Sequence, residues 1–480
     1  MPVFSRYLIA IIVTLAAALV NANERDALPE SVRNALETYS LDPEKLSVLV
    51  RDLETGQDVL SIHPTVSRNP ASTMKLLTGL AALELLGPAY RWQTKVYATA
   101  KPVNGVIEGD LYWQGSGDPY LVEERLYVML QALRRKGLHT INGKLQMDDG
   151  RFGELDEDTG AFDQQPFRVY NALPSAVLTN FNSTRFEFRP AGSNSVSITT
   201  IPDLPGLNIR NALSLKTAAC RGYRRGISLS GDGAGAIRFD GQFPARCKVY
   251  RFTRSVLEPY RYSGQLIQSL WTQMGGTIRG VVEKGAVPED AIELLAFDSL
   301  SLAEVVRLMN KHSSNLVARN MILSIAAELD GVPASEAAGI EHLRQWLRTA
   351  GIDTSGMKIE NGAGRSRTAR LSANQLVQLI EYGFASKYMP EFLASLPILG
   401  EDGTLSDRDF SPELKGQAHM KTGSIDHVAA LAGVFQHPTG RRYAVAILHN
   451  DVNVHRGTGA VMQDRLLQWL GSQNPGSLAR

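Results

Sequence analysis

At 480 residues the chain is too long for one compact core, so two or three domains are expected. Hydrophobic residues make up 44% and charged residues 21%, the composition of an ordinary globular protein rather than a disordered or fibrous one. A net charge of +1 argues against a nucleic-acid binder that relies on a phosphate-neutralising surface.

Residues 1–22 read as a targeting signal. Arg6 supplies the positive end, and Tyr7 to Val20 is a mostly apolar run too short to span a bilayer. Val20-Asn21-Ala22 places small residues where a signal peptidase reads, so cleavage before Asn23 and export of a soluble mature chain are expected. The sequence holds two cysteines, Cys220 and Cys247; in an exported chain an even pair is expected to be bridged. Two cysteines alone make no structural zinc site and no H-E-x-x-H occurs, so no metal or other cofactor is expected.

Glu30 to Tyr39 predicts a short amphipathic helix. Leu46 to Val50 and Val59 to Ile62 predict two strands joined by a turn at Glu54-Thr55-Gly56-Gln57. In Asn69-Pro70-Ala71-Ser72-Thr73-Met74-Lys75 a loop turns into a helix, with Leu76, Leu77, Leu80, Leu83 and Leu86 at helical spacing and Gly87-Pro88 ending it. Ser72 and Lys75 lie three residues apart, so they share a face. Met74, Leu76 and Leu77 flank Lys75 and point it inward. A buried amine loses its charge readily and can then take a proton from a serine hydroxyl.

From about Arg91 short strand-like runs alternate with Gly, Pro and Asp turns. Gln131-Ala132-Leu133 and Thr140-Ile141-Asn142-Gly143 are echoed at Gln268-Ser269-Leu270 and Thr277-Ile278-Arg279-Gly280, either as two related halves of an inserted domain or by chance. Between them, residues 177–252 alternate strongly and read as a small all-β subdomain. Both cysteines fall in it, where a bridge would staple a piece too small for a full core. Helices resume with Leu302, Val305, Val306 and Met309 on one face, then at Leu316–Leu329, Glu336–Ala350 and Ala373–Tyr382. Strands follow at Val428–Phe435 and Tyr443–His449, with a last helix over Ala460–Leu470. The N-terminal hairpin and C-terminal strands can share one antiparallel sheet. The expected domains are therefore 23–90 with 295–480, an insert of 91–176 with 253–294, and a nested subdomain of 177–252.

Three short motifs appear in order: Ser72-x-x-Lys75, Ser313-x-Asn315 and Lys421-Thr422-Gly423. S-x-x-K recurs at Ser355 to Lys358 and S-x-N recurs elsewhere, whereas K-[ST]-G occurs once. Their joint order carries the weight, since in penicillin-recognising serine enzymes the three form one site. Further stretches agree, among them Gly117-Asp118-Pro119, Tyr170 to Ala176, Met309 to Ser313, Leu396 to Gly400 and Asp402 to Leu405. On these the chain resembles the D-alanyl-D-alanine carboxypeptidase/endopeptidase family of the penicillin-binding protein 4 type, over nearly its whole mature length. Two departures are Ser314 where the family usually has Asp, and Ser424 where it usually has Thr.

The resemblance implies a multi-domain α+β fold. A transpeptidase/β-lactamase-like domain, an antiparallel sheet with helices, would carry an inserted α/β domain and a nested β subdomain. It implies a periplasmic serine peptidase acting on peptidoglycan peptides, acylated and inhibited by β-lactams, with no nucleic-acid partner and at most loose membrane association. Ser72 would attack the carbonyl, Lys75 would be its general base, and Ser313 would relay a proton to the leaving amine. Asn315 would hold the peptide amide and position Lys75. Lys421, Thr422, Gly423 and Ser424 would form the substrate-binding edge, and the N–H groups of Ser72 and Ser424 the oxyanion hole. The alternative activity is a β-lactamase; some of those deacylate through an E-x-x-x-N element, and no glutamate between 316 and 420 has Asn four residues on. Asp426 and His427 suggest a Ser-His-Asp triad but as adjacent strand residues would face apart. Arg365 and Arg367 read as exposed loop arginines rather than ligands.

Overall fold

The computed structural model describes residues 28–192, 194–220 and 226–473. The expected signal segment, 1–22, lies outside them. Among the described residues no helix is long and apolar enough to cross a membrane. The chain divides into two compact units. One takes the residues up to Ala89, Leu302–Ala318 and Ile340–Arg480; the other takes Tyr90–Ser301 and Arg319–Gly339.

The first unit opens with helix α1 (Glu30–Thr38), strands β1 (Leu46–Asp52) and β2 (Asp58–Ile62), and helix α2 (Lys75–Leu86), entered through a 3-10 turn at Ala71–Met74. The β1–β2 turn is local chemistry. The Asp52 carboxylate accepts the N–H groups of Glu54 (2.8 Å) and Thr55 (2.9 Å), and Gly56 takes the left-handed φ of +71° that closes it.

The second unit begins with β3 (Gln93–Ala98), β4 (Leu111–Gln114), α3 (Glu123–Arg135) and β5 (Leu145–Asp148). Six strands follow: β6 (Thr184–Ala191), β7 (Ser195–Ile201), β8 (Asn208–Lys216), β9 (Ile227–Gly231), β10 (Ala236–Pro244) and β11 (Tyr250–Arg254). Helix α4 (Pro259–Gln273), β12 (Val282–Lys284) and β13 (Ile292–Asp298) complete it. The larger sheet has the order β12-β5-β4-β3-β13. The sequence echo has a structural counterpart in this sheet and in a separate small one. The two-residue strands Thr140–Ile141 and Thr277–Ile278 pair in parallel, residue against echoed residue, and β12 pairs in parallel with β5. Strands β6 to β11 form two three-stranded sheets, β8-β10-β9 and β11-β6-β7. Phe186, Phe188, Phe239 and Phe243 are buried in their shared core, with edge-on ring contacts of 5.2 Å at Phe186–Phe239 and Phe188–Phe239.

Helices α5 (Leu302–His312), α6 (Asn315–Leu329), α7 (Glu336–Thr349), α8 (Ala373–Ala385) and α9 (Met389–Ser395) then lead to β14 (Ala418–Ile425), β15 (Val428–Gln436), β16 (Arg442–His449) and α10 (Thr458–Ser472). The ends of the chain meet in one antiparallel sheet, β14-β15-β16-β1-β2, with Val50 opposite Val445. Val48, Val50, Leu431, Val445 and Ile447 from the sheet share a core with Val32 and Leu36 of α1 and Leu466, Leu467 and Leu470 of α10. Strand β15 is buried along nearly its whole length, and α2 from Lys75 to Leu83 is buried all round. Gly79 lets α5 close on α2, since a Cβ there would sit 3.1 Å from Val306 and 3.2 Å from Met309.

Cys220 and Cys247 are joined by a disulfide across 27 residues of sequence. On the loop-entropy account a bridge of this span contributes about 3–4 kcal/mol. Replacing both cysteines with Ala is expected to lower the unfolding free energy of the β6–β11 region by that amount, with thiol titration of unfolded, unreduced wild type finding no free thiol.

Candidate active site

The three motifs, scattered over the sequence, converge in the first unit. Ser72 lies in the 3-10 turn before α2, and Lys75 opens α2 itself. Ala71 holds a left-handed φ of +44°, a conformation a β-carbon resists, immediately before the nucleophile candidate. The loop behind it makes this tolerable. Gly364, φ +76°, runs so close that a Cβ would collide with the Ala71 carbonyl. Asn69 accepts the Ala71 N–H at 2.9 Å and donates to Ser366 O at 2.8 Å.

Lys75 has no exposed surface. Its Nζ lies 3.0 Å from Ser72 Oγ, 2.7 Å from Asn315 Oδ1 and 2.5 Å from Ala363 O. Burial first, and then the nearby Lys421 ammonium, hold its pKa well below the usual lysine value. A neutral amine has two N–H donors and one lone pair. Asn315 and Ala363 O can take the donors, which leaves the lone pair facing the Ser72 hydroxyl. None of these partners is a carboxylate, so nothing close by returns the charge to the lysine.

Ser313 sits in the break between α5 and α6 with φ +55°, a second left-handed non-glycine at the site. Its Oγ accepts from Lys421 Nζ at 2.9 Å; Lys421 also donates to Thr422 O at 2.7 Å. Lys421 is fully buried, which lowers its pKa to about 7. Ser314 Oγ accepts the Val317 N–H at 3.3 Å, as a short polar side chain does at the start of a helix. The residue that departs from the usual motif thus serves α6 locally.

Strand β14 is an edge strand, and its free edge is partly occupied: Met420 N–H donates to Pro397 O at 2.9 Å. Alternation along a strand then aims the N–H groups of Thr422 and Ser424 outward along the same edge. Gly423 brings that edge to Ser72. A Cβ there would lie 2.6 Å from Pro70 O and 3.0 Å from Ser72 N, so only glycine allows the approach.

Several positioning groups carried no role in the sequence reading. Thr404 Oγ1 lies 2.7 Å from Thr422 Oγ1. Lys311 Nζ bonds both oxygens of Asp402 at 2.8 and 2.6 Å, and Asp402 Oδ1 also accepts the Ile398 N–H. This clasp ties α5 to the loop that supplies Pro397 and Thr404. The motif Asp402-Gly403-Thr404 was the available signal, but only the fold shows what it touches. The Ala363 carbonyl is a backbone group and leaves no side-chain trace.

Asp426 and His427 are not strand residues as the sequence suggested; they form the β14–β15 turn, with His427 at φ +66°. Asp426 pairs with Arg367 (3.2 Å) and lies 3.5 Å from His455 Nε2. Arg367 is exposed, as expected, and Arg365 is half-buried. With Asn69, Arg370 and Asn450, Arg367, Asp426 and His427 line a cavity of about 410 Å³ beyond the end of β14.

This architecture, with a lysine-paired serine beside an edge strand carrying Lys-Thr-Gly, defines a penicillin-recognising serine peptidase. The profile of the D-Ala-D-Ala carboxypeptidase 3 (S13) family matches residues 28–472, and the chain belongs to that family. It is 30% identical to the D-alanyl-D-alanine carboxypeptidase of Actinomadura sp. (strain R39), over 93% of this chain and 86% of that one. Identity to the D-alanyl-D-alanine carboxypeptidase DacB of Haemophilus influenzae is 24%, over 82% of this chain and 83% of that one. In fold, the crystal structure of penicillin-binding protein 4 from Haemophilus influenzae superposes with a TM-score of 0.78 at 23% identity, covering 93% of this chain and all of that one. The expected multi-domain fold is therefore confirmed.

Gly423→Ala is expected to slow acylation by penicillin at least about a hundredfold, the order of loss for roughly an ångström of misplacement. Time-resolved labelling with a fluorescent penicillin measures it, and near-wild-type labelling would show that the close approach to Ser72 N is not needed.

Proposed function

We propose that Ser72 is the acylated nucleophile of a D-Ala-D-Ala carboxypeptidase and endopeptidase acting on peptidoglycan stem peptides in the periplasm. The observation that carries this is the 3.0 Å contact between Ser72 Oγ and the fully buried amine of Lys75. Neutral Lys75 takes the hydroxyl proton as Ser72 Oγ attacks the carbonyl between the last two D-alanines. The developing oxyanion meets the N–H groups of Ser72 and Ser424, which the Gly423 approach brings together. Ser313, bonded to Lys421, relays to the departing amine the proton that Lys75 took from Ser72, so that Ser313 keeps its hydroxyl and Lys75 is neutral again. Water then attacks the ester, with Lys75 again as base, and releases the shortened peptide.

The peptide carboxylate is held by Lys421, Thr422 and Ser424, and Asn315 holds a backbone amide of the peptide. An extended peptide can add to the free edge of β14 as a further strand. In this reading the first unit is the catalytic domain, the second holds the insert and its nested β subdomain, and residues 1–22 are the export signal. Cys220 and Cys247 are structural.

Ser72→Ala is expected to abolish both penicillin labelling and release of D-alanine from a pentapeptide. Labelling that persists would overturn the assignment and point to Ser313. The β-lactam acyl-enzyme should be long-lived, because its leaving amine stays tethered and among the described residues no carboxylate is bonded to Ser72 or Lys75. Intact-protein mass spectrometry after a pulse of penicillin should show the adduct outlasting peptide turnover by orders of magnitude. Decay within seconds with catalytic penicilloate release would establish a β-lactamase instead.

Lys421 adds a pH dependence. It is charged below about pH 7 and loses its charge as pH rises through that value. A bound carboxylate favours the charged form, so affinity for a free carboxylate terminus should fall above pH 7. The KM of a D-Ala-D-Ala peptide should rise there, while that of its methyl ester should stay flat; parallel profiles would remove Lys421 from carboxylate binding.

A further inference from the structure

Thr184 to Arg254, the stretch that builds both three-stranded sheets, carries twelve Lys or Arg against four Asp or Glu, a net of +8. The whole chain is only +1, so the remainder, with 38 cations and 45 anions, is net acidic at −7. Near-neutrality of the chain conceals a strongly basic subdomain.

Most of the four acids are already engaged within the subdomain. Glu187 is ion-paired to both Arg189 and Arg251, and Asp240 is paired to Arg238 at 2.5 Å. Asp232 accepts the N–H groups of Ala234, Gly235 and Ala236 and so shapes a turn. Lys216, Arg246 and Lys248 are exposed and have no carboxylate partner among the described residues, while exposed Arg210 interacts with the Asp240 carboxylate.

Register places Lys216, Arg246 and Lys248 together at one end of the sheet, with Arg210 roughly 20 Å away along β8. Strands β8 and β10 run parallel, with Arg210 beside Arg238 and Lys216 beside Pro244. Ala245 N–H donates to Lys216 O at 2.9 Å, so Arg246 and Lys248 follow directly from the end that Lys216 occupies. The Cys220–Cys247 bridge pins that same end. Burial of Leu213, Ile237 and Phe239 turns their neighbours outward. Beside the cations the outer face of the sheet therefore shows Ser214, Ser228, Ser230 and Gln242, small polar groups that hydrogen-bond to carboxylates, amides and sugar hydroxyls. Among the described residues it shows no aromatic or large aliphatic side chain of the kind that seats a protein in a bilayer interface.

We propose that this basic face of β8-β10-β9, with Arg246 and Lys248, is a non-catalytic docking surface for the carboxylate-rich peptidoglycan network. The proposal rests on the reading of peptidoglycan as substrate. Each stem peptide offers free carboxylates at many repeated positions, and the face offers cations and polar donors on a sheet. Individually weak contacts repeated along a polymer retain the enzyme on its substrate and raise the local concentration of cleavable ends.

Full-length mature protein carrying Ser72→Ala is co-sedimented with purified sacculi freed of lipid, protein and phosphate polymers. Retention is expected and should weaken by roughly an order of magnitude or more on going from low salt to ~0.5 M, where screening is short-ranged. Adding Lys216→Glu, Arg246→Glu and Lys248→Glu together should weaken retention at low salt at least about tenfold. The same three substitutions with Ser72 intact should leave penicillin labelling unchanged, which separates failure of this surface from failure of the nucleophile assignment. Unchanged retention of the triple variant overturns the proposal. If that variant does not fold, salt-insensitive retention of the parent overturns it equally. Stronger binding to phosphatidylglycerol vesicles than to sacculi overturns it in favour of a membrane.

Discussion

The desolvation of one amine governs this molecule. Lys75 is placed at the start of a helix with no surface left to water. An ammonium there must be compensated or give up its proton. The surroundings offer amide and carbonyl oxygens but no carboxylate, and they add a second buried lysine nearby. The cost of burying charge thereby favours a neutral amine beside the Ser72 hydroxyl. A solvated lysine in the same three-residue spacing, such as exposed Lys358, has no such pressure on it.

Keeping that amine dry requires the rest of the unit. Helix α2 is closed by α5 through Gly79, by the Ala363–Gly364 loop, and by β14 through Gly423. At Gly364 and Gly423 a backbone comes nearer than a side chain would permit, and at Gly79 the fit is tight. The left-handed residues Ala71 and Ser313 belong to the same economy of space. They aim Ser72 and Ser313 into the site, and they persist because neighbouring elements over-determine them. The Lys311–Asp402 clasp acts one step further out, fixing the loop whose Pro397 and Thr404 meet the edge strand.

The second unit obeys different rules. Its two small sheets are held by a cluster of phenylalanines and one disulfide, and basic side chains lie on an outer face of one of them. A basic polar surface acts through water, which carries long-range attraction, whereas a lysine needs a dry interior for a shifted pKa.

Much of this was legible in the sequence. Apolar runs located β1, β15 and β16, because strands buried in a central sheet need little but hydrophobic residues. Leucine spacing located α2. The order of the three motifs was enough to place Ser72, Lys75, Ser313, Asn315 and Lys421 in one site. Other features depended on contacts between residues hundreds of positions apart. The turn at Asp426 and His427 was read as strand, because alternation does not reveal where a strand reverses when no glycine marks it. The third partner of Lys75 is the Ala363 carbonyl, which every residue possesses and no composition can single out. Residue types and spacing by themselves determined which groups could do acyl transfer. Only the tertiary structure decided that Lys75 would be stripped of water, because burial is a property of what the chain packs around it and not of the lysine itself.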